Sequence, residues 1–317
     1  MDMRRSFGSR CRTLHSMQSS TLNVGVALGG GSARGYAHIG ALTSLERHGF
    51  APSVIVGTSF GAVIGALYAM ERSPEAMTAQ ASVLRRRDVF PHVLDVGVHH
   101  AALFAGKRLE AYFDRLVEGR TFEDLRRTLV VTATDADTGE RVRLTSGPLA
   151  PALRASASLP GLFAPVTIDG RRLLDGGIGA PVPLETLEGY ELDLRLGIGA
   201  GSNAEDSGTI RFVRDLVQHP VGRRLKGAMA RATGQRVGGL VRALAWTADG
   251  YLPKPAAVGI HIDTRPPIHW LRFDRAEQAI RAGERALENA MPTLRRAVAN
   301  LPKVAAARIA APASPAA

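Results

Sequence analysis

The sequence predicts an α/β fold with a buried, mainly parallel central sheet, and three observations predict it. Residues 22–28 are a short apolar run that enters Gly29-Gly30-Gly31-Ser32-Ala33-Arg34-Gly35, and helical spacing follows at once. Residues 54–56 repeat the plan: a β-branched run ends in Gly57-Thr58-Ser59-Phe60-Gly61 and passes into small, apolar residues suited to a buried helix. Read together, the two units make a strand-helix-strand crossover, which implies parallel neighbours with covered faces.

Residues 1–21 are polar and basic, with Arg4, Arg5, Arg10 and Arg12, and are expected to form a disordered leader. They lack the apolar run of a signal peptide. After the first strand, Ile39, Leu42 and Leu45 share one side of a helix over residues 36–48, and Gly49 supplies its stop. Beyond the second unit, residues 73–116 read as helical, interrupted near Phe90-Pro91 and at Gly97, with an amphipathic piece from residue 107. Strands are expected over 128–134 and 141–145, joined by a turn containing Asp135, Asp137 and Gly139. A short helix over 149–157 leads to a loop bracketed by Pro160 and Pro165. A hairpin over 166–174, turning at Asp169-Gly170, then delivers Asp175-Gly176-Gly177 to a strand end. Strands at 194–198 and 258–262 come next. Asp274 is expected to cap a long amphipathic helix to about residue 290, with Pro292 restarting a second piece. The chain divides into the leader, a catalytic domain over 22–200, a basic helical cap with C-terminal strand and helices over 201–303, and a disordered Ala/Pro tail over 304–317.

At 317 residues, 45% of them hydrophobic, the chain can bury a substantial core. No stretch reaches the roughly 20 apolar residues of a membrane-spanning helix. Cys11 is the only cysteine, which rules out an internal disulfide and fits a reducing, cytoplasmic setting. The net charge of +11 is concentrated over residues 209–245, where Arg211, Arg214, Arg223, Arg224, Lys226, Arg231, Arg236 and Arg242 face only Asp215. Apolar residues interleave with them, so peripheral contact with an anionic membrane is one expected use of that surface. The chain has neither a zinc-ligand set nor an aromatic β-platform, and nucleic acid is not expected as a partner.

Acyl transfer needs a nucleophile, a base, and donors for an oxyanion. Ser59, flanked by Gly57 and Gly61, is the candidate nucleophile at a strand-to-helix elbow. The loop from Gly29 offers the amides of Gly30, Gly31, Ser32 and Gly35, with Arg34 either adding fixed charge or bracing the loop through its carbonyls. Asp175, followed by Gly176 and Gly177, is the best carboxylate available as base, and it must be desolvated to act as one. His38 is expected to pack or brace the glycine loop. His99-His100 lacks metal-ligand company, so neither metal nor cofactor is expected.

These motifs resemble those of the patatin-like phospholipase family, in the same order: the glycine-rich loop at 29–35, Gly-x-Ser-x-Gly at 57–61, and Asp-Gly-Gly at 175–177. The segment from Ala155 to Val166 also looks like the one that precedes the aspartate in such proteins. The resemblance covers residues 22–200 and implies a three-layer α/β/α fold with a helical C-terminal region. It implies a metal-independent lipid acyl hydrolase working through Ser59 and Asp175, with a lipid acyl ester as substrate. Ser32 stands where many relatives carry glycine. Three other readings stay open: a Ser-Asp-His triad using His219, His261 or His269, a dinucleotide-binding turn at 29–35, and a non-catalytic membrane-associated scaffold. Against the second, Gly57 and Thr58 occupy the place of a ribose-binding acid.

Overall fold

The computed structural model describes residues 22–83, 95–99, 102–160, 162–201 and 259–301. The expected leader, the basic 209–245 stretch, His219 and the tail lie outside the described residues.

The apolar runs form the strands β1 (Val24–Leu28), β2 (Val54–Thr58), β5 (Thr128–Asp135) and β9 (Leu194–Gly199), with β10 (Ile260–Asp263) at one edge. The order β10-β9-β1-β2-β5 is parallel throughout. Antiparallel strands complete the other side: β6 (Arg141–Leu144) and β8 (Arg171–Asp175) both pair with β5, and β7 (Val166–Ile168) pairs with β8. The mainly parallel sheet and C-terminal helix expected from the sequence are both present.

Alternation along each strand divides the core between two faces. Val24, Val26, Leu28, Ile55, Leu129, Val131, Leu196 and Ile198 pack into the larger core with the helices. Ala27, Val54, Val56 and Val130 point the other way and meet Leu184 and Leu187 of a 3-10 segment, Leu184–Gly189. Each such Leu, Ile or Val side chain contributes roughly 1.5–3 kcal/mol by leaving water.

The crossover helix α1 (Ala37–Arg47) and the buried α2 (Phe60–Ala69) lie on the larger-core face, followed by α3 (Pro74–Val83), α4 (Lys107–Leu116) and α5 (Leu149–Ser156). The C-terminal α6 (Ala276–Ala299) packs along α1. Gly40 of α1 lies against the Ile280 carbonyl and Gly283 of α6 against the Ala37 carbonyl, so the two backbones approach where neither carries a Cβ. The rim of this contact is polar, with Arg47 on Glu284 at 2.7 Å and His48 on Glu288 at 2.9 Å.

Three expectations are corrected. Residues 73–116 are not wholly helical: Val96–His99 (β3) and Ala102–Phe104 (β4) form an antiparallel hairpin. The Phe104 amide also donates to the Leu162 carbonyl at 2.9 Å, a tertiary pairing that local spacing does not reveal. Pro292 does not divide the last helix, which continues through it. Its ring lies on the exposed side, where water can satisfy the Glu288 carbonyl that loses its amide partner. Asp274 is not the cap: it sits in a 3-10 turn, Phe273–Arg275, with its carboxylate on Arg272 at 2.7 Å, and Arg275 is the residue preceding the helix.

Candidate active site

Ser59 and Asp175 meet along one edge of β5. Strand β6 overlaps both β2 and β8 in register on β5, so β2 and β8 must share the opposite edge. They run toward each other along it. Thr58, the last residue of β2, is opposite Thr132, and Asp175, the last of β8, is opposite Ala133. Two strand ends meet head to head, and the residue leaving one is the serine.

The elbow is built as its glycines require. Ser59 adopts φ 53° and ψ −124°, a strained conformation for a residue with a side chain, costing of the order of 1–3 kcal/mol. A Cβ at Gly57 would run into the Ala62 backbone, and one at Gly61 into the carbonyls of Leu28 and Gly29. The turn is thereby pressed against the end of β1 and opens directly into α2, whose first amides face the serine. Thr58 Oγ1 bonds Thr132 Oγ1 at 2.6 Å and fastens the two strands just below the elbow. Ser59 itself is half-buried and reachable from solvent.

Asp175 is fully buried. Its Oδ1 accepts from the Gly177 amide at 2.7 Å, while Oδ2 has no hydrogen-bond partner among the described residues. Burial pushes the carboxyl up from 3.8 to about 6, opposed by the Gly177 amide and by the nearby Ser59 hydroxyl. That hydroxyl lies close enough to be felt without closing a bond of ordinary geometry, a looseness common in unliganded sites. Gly176 packs on the Thr132 carbonyl with no space for a Cβ.

The glycine loop lies beside the elbow: a Cβ on Gly30 would stand 3.4 Å from that of Ser59. Its amides divide into two sets. Gly29 donates to the Ile198 carbonyl at 2.9 Å, Gly30 to the Pro181 carbonyl at 3.0 Å and Ala33 to the Trp270 carbonyl at 2.9 Å. The amides of Gly31 and Ser32, both partly exposed, face no acceptor among the described residues. Ser32 takes φ 52°, the left-handed region that glycine occupies without penalty. The Arg34 side chain does not bond the loop's own carbonyls but those of Ile268 at 3.0 Å and Gly201 at 3.4 Å. Gly35 packs against the Phe60 ring, which stacks edge-on with Tyr36 at 4.9 Å and so ties the loop to the start of α2.

The described histidines lie elsewhere. His38 is buried with Nε2 on the Gly29 carbonyl at 2.8 Å, and burial lowers it to about 4, so it is neutral and braces the loop. His261 lies against the glycines of β9, and His269 stacks beside Trp270. None of them bonds Ser59 or Asp175. No described helix is long and apolar enough to cross a membrane.

Two supporting residues escaped the sequence reading. The Ser59 amide donates to Ser156 Oγ at 2.8 Å. Arg154, 1% exposed, donates to the carbonyls of Gly106, Ala105 and Ala164 at 2.9–3.0 Å and to Ser158 Oγ, and its guanidinium lies over the Phe163 ring. Burial lowers its pKa to about 10, so it stays charged at neutral pH. The available signal was one arginine and one serine within an otherwise apolar short helix, placed just before the proline-bracketed loop.

The chain is 38% identical over 208 residues to an uncharacterized NTE family protein of Mycobacterium tuberculosis, covering 63% of this chain and 57% of that protein. It thus spans little more than half the length of that relative. The lysophospholipase nte1 of Aspergillus fumigatus is 30% identical over 181 residues, which are 56% of this chain and 12% of that protein. Patatin-like phospholipase domain-containing protein 6 of Mus musculus is 32% identical over 186 residues, 57% of this chain and 14% of that protein. The crystal structure of VipD from Legionella pneumophila superposes with a TM-score of 0.44 at 15% identity, over 85% of this chain and 67% of that one. The patatin-like phospholipase family model matches residues 26–188, a span that holds the glycine loop, the serine elbow and the aspartate turn. With all three motifs inside that match, the chain belongs to the patatin-like phospholipase family.

Proposed function

We propose that this chain is a serine acyl hydrolase that cleaves acyl esters of phospholipids or lysophospholipids through Ser59 and Asp175. Ser59 Oγ attacks the ester carbonyl while Asp175 takes its proton, and the carbonyl electron pair moves onto the oxygen. The amides of Gly31 and Ser32 donate to that oxyanion, with the N-terminal end of α2 adding favourable potential. Collapse breaks the bond to the alcohol, which leaves with the proton held by Asp175. Water then attacks the acyl-enzyme, with Asp175 taking its proton and passing it to Ser59 Oγ as the acyl bond breaks and the fatty acid leaves.

The observation that carries this reading is the pairing of a reachable hydroxyl on a strained elbow with a buried carboxyl whose Oδ2 is unengaged. A carboxyl near 6 is better matched to the serine proton than one at 3.8 and is still ionised at neutral pH. The lipid part rests on the family and on the name of the Aspergillus relative. Peripheral contact with anionic membrane through the basic 209–245 stretch belongs to the same proposal. The test is fatty-acid release from p-nitrophenyl butyrate, lysophosphatidylcholine and phosphatidylcholine, measured beside Ser59→Ala. Release by the native chain and a loss of at least about 10³-fold in the variant are expected. Equal rates in the two proteins would sink the reading.

A further inference from the structure

The three residues Ser156-Ala157-Ser158 touch both halves of the candidate pair. Ser156 ends α5 and is fully buried. Its Oγ accepts from the Ser59 amide at 2.8 Å and donates to the Thr132 carbonyl at 2.7 Å, so its proton and one of its two lone pairs are committed. Two residues on, the Ser158 carbonyl accepts from the Asp175 amide at 2.9 Å. Thr132 is the β5 residue opposite Thr58, and its carbonyl is also the surface on which Gly176 packs. One short segment therefore holds the backbone of the serine at one end and of the aspartate at the other.

Ser59 needs such a hold. At φ 53° and ψ −124° its backbone is not in a conformation it would choose, and such strain persists only where surrounding bonds over-determine it. Its amide points away from the helix, toward α5, and Ser156 Oγ is its acceptor. Without that acceptor, a part-buried N–H and the Thr132 carbonyl would each lose a partner, and the cheapest relief is rotation of the elbow. Rotation moves Ser59 Oγ relative to the Asp175 carboxyl, and a displacement of about 1 Å is enough to cost two orders of magnitude in rate.

We infer that Ser156 is a positioning residue: its hydroxyl, bridging the Ser59 amide and the Thr132 carbonyl, holds the serine elbow in the rotation that aims Ser59 Oγ at Asp175. The inference rests on the acyl-hydrolase reading. It assigns Ser156 no contact with substrate.

Steady-state kinetics on p-nitrophenyl butyrate test it, with the native chain, Ser59→Ala, Ser156→Ala, Ser156→Cys and Ser156→Thr side by side. Ser156→Ala is expected to lower kcat about 10- to 100-fold with KM within about twofold, and to slow fluorophosphonate labelling of Ser59 in parallel. Ser156→Thr, which keeps the hydroxyl, is expected to recover most of the rate. Ser156→Cys, close in volume with a weaker donor and acceptor, should lie between and carries the test if the alanine variant does not fold. A kcat within about twofold of native in the folded alanine or cysteine variant overturns the inference, whatever happens to its melting temperature. Full activity in Ser59→Ala instead overturns the hydrolase reading, a separate failure.

Discussion

The serine elbow and the aspartate turn do similar jobs by opposite means. Both end a strand on the same edge of β5, and both lean on glycines. Ser59, however, sits in a strained backbone with no side-chain cap of its own, whereas Asp175 has relaxed φ −51° and ψ 129° and caps its own turn through the Gly177 amide. The hydroxyl is reachable and the carboxyl is sealed. Strain therefore sits in the geometry of one residue and in the solvation of the other. On the proposed reading, a nucleophile must be presented, so its backbone is bent outward; a base must be tuned, so its side chain is taken out of water.

The largest expected effect is at the sealed partner. Asp175→Asn keeps shape and burial but cannot accept the serine proton, and kcat/KM for ester hydrolysis should fall at least about 10³-fold. An effect below tenfold would mean that the two turns do not work as a pair.

Next comes pH. As the proposed base, Asp175 acts only when ionised, so kcat/KM of the native chain should be half-maximal near pH 6 and fall about tenfold per unit below it, as a stopped pH-rate series would read. Stability moves the other way. The folded carboxyl holds its proton more tightly than the unfolded one, so this group's contribution to stability is fully present below about pH 4 and is lost as pH rises through 6. The shift from 3.8 to about 6 corresponds to roughly 3 kcal/mol. Asp175→Asn removes this dependence, and its urea midpoint at pH 8 should exceed that of the native chain while the two differ less at pH 4. Parallel curves for the two proteins would show that burial does not tune this carboxyl.

The smallest effect tests the strained partner. Ser59→Gly places a residue at φ 53° that tolerates it, and stabilisation of about 1 kcal/mol is expected, with Ser59→Ala giving none of it. Equal unfolding midpoints in the two variants would remove the strain from the comparison.

Much of this site was legible because glycine leaves marks. Gly57, Gly61 and Gly176 stand where a Cβ would strike backbone, so spacing alone located the elbow and the turn. The parallel sheet was legible because fully buried strands read as apolar runs. What stayed hidden depends on distant partners. A serine ending a short helix has no local signature that its hydroxyl will take the Ser59 amide, and Arg154 reads as an ordinary helical charge until four acceptors gather on it. The hairpin of β3 and β4 and the passage of α6 through Pro292 were decided the same way, by what the fold laid beside them.

The head-to-head meeting of β2 and β8 makes β5 a ruler. Neighbouring residues along a strand step about 3.3 Å and alternate faces, so adjacent positions, 132 and 133, set how far apart the hydroxyl and the carboxyl come to rest. Loops and helices between residues 59 and 175, apart from β5 itself and the Ser156-Ala157-Ser158 segment that holds both backbones, are then at liberty to lengthen, shorten or be exchanged, while a single residue gained or lost inside β5 would misalign the two groups at once.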